Sequence, residues 1–219
     1  MLSKTSNVSS APYRVHRERQ RRRIMTAAQK LFDVDGIDRV TMANIISATG
    51  IRASTLYEYF SSKDEIVWAL VEELMVQSSA SIRTSIDDAT GSALVKITAL
   101  LQALGDELVQ HSARVRFMAQ FDARYAFDWS VERLVALEEQ IFPGRFEELS
   151  ALIRDGIADG SLRSDLDPEL TLHAIVNAVI GAQRRLASLG SRVEKEYGQP
   201  IELLFRETVR ILLLGLRAT

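Results

Sequence analysis

Residues 52–59 read Arg-Ala-Ser-Thr-Leu-Tyr-Glu-Tyr, so about two helical turns carry hydroxyls at Ser54, Thr55, Tyr57 and Tyr59 beside the guanidinium of Arg52. This set suits hydrogen bonding to phosphate oxygens and to the edges of DNA bases. A second charged feature lies upstream: Arg14, Arg17, Arg19, Arg21, Arg22 and Arg23, within a stretch of thirty residues that holds eight basic groups and one acidic group. Charge localised in this way points to a polyanion partner at one end of the molecule. The run itself admits two readings, the solvated face of a helix or an arm that touches the DNA backbone.

Other chemistries lack their residues. There is no cysteine, and the only histidines are His16, His111 and His173, so disulfides, thiolate metal sites, a cysteine nucleophile and a histidine-rich metal site all drop out. A di-iron bundle needs repeated Glu-x-x-His pairs, whereas Glu107 and His111, like Glu169 and His173, are four apart. Asp87-Asp88 has no further acids around it, and no glycine-rich phosphate loop occurs. Neither a catalytic role nor a cofactor or metal is expected.

The elements that must position the hydroxyls are legible. Thr41 is a good helix N-cap, Ile45, Ile46 and Ala48 follow on a short helix, and Gly50 supplies the left-handed turn that stops it. A second short helix runs from about Ala53 to Tyr59. Two short helices joined by a tight turn containing glycine have the sequence form of a helix-turn-helix. In that arrangement Ile51, Leu56 and Phe60 bury against the preceding helices, while Ser54 and Glu58 point outward. The second helix is too short to persist alone and poor in apolar residues, which counts against an ordinary bundle hairpin.

The rest of the chain is helical. Ile24, Ala27, Ala28, Leu31 and Phe32 form one apolar stripe on a first helix that Gly36 ends, and beyond residue 62 apolar positions recur at helical spacing with no sustained alternation of period two. The spacing predicts helices over about 63–86, 92–110, 113–126, 129–158, 168–189 and 201–217, with loops at 87–91, 159–161 and 190–199. Pro143 must kink or break the helix over 129–158. Residues 1–13, rich in serine, read as a flexible arm. No apolar run approaches the roughly 18 residues of a membrane span, and the first 23 residues lack the apolar core of a signal peptide, so a cytoplasmic chain is expected.

Composition hides the division of labour. The 219 residues have a net charge of -2, but residues 1–66 carry eleven Lys/Arg against seven Asp/Glu, and residues 67–219 carry sixteen against twenty-two.

Arg22 to Ile66 resembles the N-terminal domain of the TetR family of transcriptional repressors. The resemblance is carried by Ala27-Ala28, Leu31-Phe32, Gly36, Thr41, Ala48-Thr49-Gly50-Ile51, Thr55-Leu56-Tyr57-Glu58-Tyr59-Phe60 and Lys63-Asp64-Glu65-Ile66. It implies an all-α protein with a flexible arm (1–13), a three-helix DNA-binding domain (14–62, motif 41–60) and a larger helical domain for ligand sensing and dimerisation (63–219). By position it implies that Thr41, Tyr57, Tyr59 and Lys63 contact phosphates and that Arg52, Ala53, Ser54 and Thr55 enter the major groove. Three residues depart from the family pattern: Arg52 stands at a common Ser/Thr N-cap, Ile46 replaces a small residue, and Glu58 is acidic and outward-facing.

The two C-terminal helices, about 168–189 and 201–217, are apolar on more than one side, so a second copy is expected against them. This is similar to the family's dimer, which implies two recognition helices roughly 34–36 Å apart, or a multiple, on a pseudo-palindromic operator. The family also implies a small-molecule inducer. The aromatic stretch 116–129 reads either as core or as a site for an apolar or aromatic ligand, with Phe117, Gln120, Phe121, Tyr125, Trp129, His173 and Asn177 as candidates. The function expected is thus a DNA-binding dimeric repressor released by such a ligand. The alternative is a protein of the same fold controlled by a protein partner, and a filled core in the large domain would favour it.

Overall fold

The computed structural model describes residues 11–218. In chain order the helices are α1 (Ala11–Asp35), α2 (Met42–Thr49), α3 (Ala53–Tyr59), α4 (Lys63–Asp88), α5 (Ala93–Gln110), α6 (Ser112–Asp128), α7 (Val131–Ile141), α8 (Arg145–Ala158), α9 (Pro168–Leu189), α10 (Arg192–Tyr197) and α11 (Ile201–Leu216). Among the described residues there is no strand, only an isolated bridge between Leu162 and Arg217. The chain divides into two compact units between Leu70 and Val71 rather than after residue 62. The amino-terminal turns of α4 belong to the first unit, where the Lys63 ammonium donates to the Ile37 carbonyl.

In the first unit the stripe on α1 is real. Ile24, Ala28 and Phe32 are fully buried, together with Ile45 of α2 and Leu56 of α3. The helix starts at Ala11, so residues 11–13 are helical where an arm was expected; the remainder of that arm, residues 1–10, lies outside the described residues. Ile37 and Val40, between α1 and α2, are also buried.

The second unit is built around α9, which packs on α5, α6, α8, α10 and α11. Its entry is specified by the chain: Asp167 caps it by accepting from the Leu170 N–H at 2.8 Å, and Pro168 sits at the first turn, where no N–H is missed. Leu172, Ile175, Val179 and Leu186 then line its buried side, facing a core that includes Leu101 and Leu108 of α5, Ile153 of α8 and Phe205 and Val209 of α11. Each such buried side chain contributes roughly 1.5–3 kcal/mol. Asp159 joins the end of α8 to the start of α5, accepting from the Ala93 N–H at 3.0 Å and the Ser161 N–H at 2.8 Å. Those bonds, the Ser161 hydroxyl foremost, hold its carboxyl below the usual range.

One expectation is met and one is corrected. The helix over 129–158 is broken at Pro143, as its sequence requires: Ser130 caps α7 by accepting from the Arg133 N–H, and the Phe142-Pro143-Gly144 turn, with Gly144 at φ 69°, separates α7 from α8. The loop expected over 190–199 contains α10, a six-residue helix with one buried anchor, Val193, and an external tie from the Arg185 guanidinium to Glu196 and Tyr197.

Gly156 on α8 sits close against its neighbour: a Cβ there would lie 2.5 Å from Cγ and Cδ1 of the buried Leu162. Gly156→Ala should therefore destabilise the protein by roughly 1–3 kcal/mol through overpacking, read as a lower urea midpoint. An unchanged midpoint would mean that Leu162 moves aside at no cost.

Candidate nucleic-acid interface and ligand cavity

The helix-turn-helix is held by local devices that the sequence specifies. Thr41 and Asn44 form a reciprocal capping box: the Thr41 hydroxyl accepts from the Asn44 N–H at 3.2 Å, and the Asn44 side-chain oxygen accepts from the Thr41 N–H at 2.8 Å. At the other end of α2, Gly50 takes φ 65° and its N–H donates to the Ile46 carbonyl. A side chain there would be strained, which is why the turn needs glycine. Arg52 occupies the N-cap position of α3 but makes no side-chain cap bond, as its departure from the Ser/Thr pattern implied. Leu56 and Phe60 are the buried anchors of α3, and Ile51 is half-buried.

What α3 leaves outward is polar. Arg52, Ala53, Ser54, Tyr57 and Glu58 are exposed, and Thr55 and Tyr59 are half-buried. Beside it run the amino-terminal turns of α1, and Tyr13, His16, Arg17 and Gln20 with Arg52, Thr55, Glu58 and Tyr59 line a groove of about 750 Å³. The Arg17 guanidinium lies 5.5 Å from the centre of the Tyr59 ring, a cation–π interaction.

The arginine run is thus not one population. Arg17 stacks on Tyr59 and Arg21 on Phe60 at 5.3 Å, while Arg23 donates to the Thr49 carbonyl at 2.6 Å, capping the end of α2. A cation at a helix C-terminus is favoured by the dipole as well as the bond. Arg14, Arg19 and Arg22 are exposed. Composition could not separate these roles, because the difference lies in which side of α1 each residue occupies. Thr41 is exposed, and the Lys63 ammonium is engaged by the Ile37 carbonyl at 2.7 Å and the Asp38 carbonyl at 3.4 Å.

The second unit contains a cavity of about 590 Å³ with a predominantly apolar wall drawn from α4 to α9. Of the residues proposed from sequence, Phe121, His173 and Asn177 line it; Phe117, Gln120, Tyr125 and Trp129 do not. Phe117 is core, 1% exposed. Tyr125 stacks on Phe121 with ring centres 5.9 Å apart and Trp129 lies tilted against it at 5.0 Å, so they back the one aromatic of the stretch that reaches the cavity.

The polar part of the wall was not legible in the sequence. Asp122 of α6 and Arg184 of α9 form an ion pair there, and burial lowers the Arg184 pKa to about 10, which leaves the guanidinium charged at neutral pH. Gln183, also on the wall and buried, donates to the Leu104 carbonyl at 2.6 Å. Sixty-two residues separate the partners of the ion pair, and no local pattern joins them. Among the described residues no three His, Asp or Glu side chains converge to hold a metal ion, and no helix is long and apolar enough to cross a membrane.

Residues 24–70 match the family described as bacterial regulatory proteins, tetR family. The HTH-type transcriptional repressor KstR2 of Rhodococcus jostii is 30% identical over 161 residues, which cover 69% of this chain and 72% of that protein. Among solved structures, the ketosteroid transcriptional regulator KstR2 of Mycobacterium tuberculosis superposes with a TM-score of 0.64 at 23% identity, covering 91% of this chain and 96% of that one. The transcriptional regulator FadR of Bacillus subtilis, solved with stearoyl-CoA, gives 0.65 at 19% identity, covering 89% and 98%. The helix-turn-helix, the all-helical second unit and this similarity agree: the chain belongs to the TetR family of DNA-binding transcriptional regulators.

Proposed function

We propose that the protein is a homodimeric repressor, working in the cytoplasm without catalytic activity, that leaves a pseudo-palindromic operator when a small, largely apolar molecule enters the second unit. The observation that carries the ligand half of this reading is the cavity of about 590 Å³, whose size and apolar wall are those of a small-molecule site. A filled core would have favoured a protein partner. Relatives point the same way: one is named a repressor and another was solved with an acyl-CoA.

On DNA, α3 would enter the major groove through Arg52, Ala53, Ser54 and Thr55, with Thr41, Tyr57, Tyr59 and Lys63 at flanking phosphates. The exposure of the first three and of Tyr57 supports this, as does the position of Thr41 and Lys63 at helix starts, where the positive end of the helix dipole favours an anion. Arg17, stacked on Tyr59, adds a cation beside that ring.

The dimer would form through α9 and α11. Their exposed sides support this: α9 presents Ala174, Ala178 and Gly181, small enough for close helix approach, and α11 presents Leu203, Ile211 and Leu214, which are 46–58% exposed. Leucine and isoleucine side chains aligned on one helix surface are favourably buried by a second copy.

Three measurements test the reading. Selection from a random DNA pool should return an inverted repeat with half-sites one helical turn apart or a multiple of it; a direct repeat or an unrelated single site would refute two-fold binding. Replacing Arg14 and Arg17 by alanine should make the dependence of log affinity on log salt shallower by roughly 0.9 for each phosphate no longer neutralised, and an unchanged slope would remove these residues from the interface. Ile211→Glu combined with Leu214→Glu should convert the dimer to a folded monomer in sedimentation velocity, with operator affinity falling by more than about tenfold; a persistent dimer would place the interface elsewhere.

A further inference from the structure

We propose that the cavity of the second unit selects lipophilic molecules that are neutral or positively charged and excludes polyanions of the acyl-CoA type, an inference that rests on the ligand-controlled reading above. The observation is the charge of the wall. Asp87, Glu107, Asp122, Glu138 and Glu148 line it with five carboxylates, against three guanidiniums from Arg83, Arg114 and Arg184. The wall thus holds two more carboxylates than guanidiniums.

The arginines are moreover committed. Arg184 is paired with Asp122, and Arg114 lies 4.0 Å from Glu107. An anion could take Arg184 only by displacing Asp122, which would leave that carboxylate unpaired in the same wall, and an unpaired charge in a partly desolvated site is strongly unfavourable. The remaining guanidinium, Arg83, is exposed, as is Asp87 one turn later on α4, which also lines the cavity and offsets it; of the other two carboxylates Glu138 is half-buried and Glu148 exposed.

The surplus negative charge has a location. Glu138 of α7 and Glu148 of α8 join the wall on either side of the α7–α8 turn, and neither forms an ion pair among the described residues. Phe142, from the turn itself, and Leu134, Leu149 and Leu152 share that part of the lining. Carboxylates on a wall that also carries an aromatic ring and aliphatic side chains can recognise an ammonium or other soft cation borne on an apolar body. The same carboxylates repel the phosphates of a CoA thioester, so specificity here comes from repulsion as much as attraction. The Bacillus subtilis regulator of similar fold was solved with stearoyl-CoA, a ligand class that the charge of this wall would exclude here.

The test uses the full-length protein, its selected operator and three fluorescent probes with one naphthyl-hexyl body: a primary ammonium, an alcohol and a carboxylate. Stearoyl-CoA is the fourth. The expected order of affinity by fluorescence anisotropy is ammonium, then alcohol, then carboxylate, with the ammonium about tenfold or more above the carboxylate. The ammonium probe should free the operator and stearoyl-CoA should not. Glu138→Gln with Glu148→Gln should erase the preference for the ammonium, read as the ratio of its affinity to the alcohol's; should that variant fail to fold, the order in the unaltered protein decides alone. Equal affinity for all three bodies, or a carboxylate or stearoyl-CoA that binds as well as the ammonium, overturns the proposal and leaves ligand control standing. If no probe binds and none frees the operator, ligand control falls and this inference with it.

Discussion

A helix of seven residues does not persist in water by itself, because the cost of nucleating it is not recovered over so few hydrogen bonds. The surface proposed to read DNA rests on such a helix, α3, and the first unit is organised by that constraint. Leu56 and Phe60 pin its inner side, Gly50 sets the angle at which the chain enters it, and the Thr41–Asn44 box and Arg23 stabilise the two ends of the preceding helix. The outward side is then free to be polar, since the anchoring has been delegated elsewhere. A hydroxyl-rich, apolar-poor helix of this length is tolerable only inside such a frame.

Local rules made much of this legible from sequence. Caps and left-handed glycines act within four residues, so Thr41 and Gly50 could be read directly, and the helical periodicity of the large unit located most of its elements. The readings that failed were those decided by distant packing. Helix α10 has a single buried anchor, Val193, and an external tie from Arg185, so nothing in its own periodicity distinguishes it from a loop. The aromatic stretch has the right spacing for either a core or a binding wall. Only the packing of α6 on α9 shows that Phe121 reaches the cavity while Phe117 is buried away from it and Tyr125 and Trp129 stand behind.

Charge shows the same limit. The basic character of the first thirty residues is evident from counting, but the roles of individual arginines are not, because guanidiniums one residue apart on α1 face directions about 100° apart. Arg21 meets an aromatic ring, Arg22 meets solvent and Arg23 meets a carbonyl. In the large unit the acidic surplus is likewise visible as a total, whereas its meaning depends on which carboxylates the fold gathers around one cavity.

The capping box at Thr41 has a thermodynamic consequence. Its hydroxyl already accepts from the Asn44 N–H and donates to the Asn44 side-chain oxygen at 2.6 Å, and the Lys63 ammonium already serves two carbonyls. A phosphate arriving at Thr41 would find that hydroxyl's proton already in use and would have to replace an existing partner. Such an interaction is an exchange, nearly balanced in enthalpy. It fixes where the backbone sits while adding little tightness. Thr41 would therefore act as a registration mark, whereas the Lys63 ammonium keeps its full charge whatever carbonyls it serves, and the net attraction between protein and DNA would have to come from such cations.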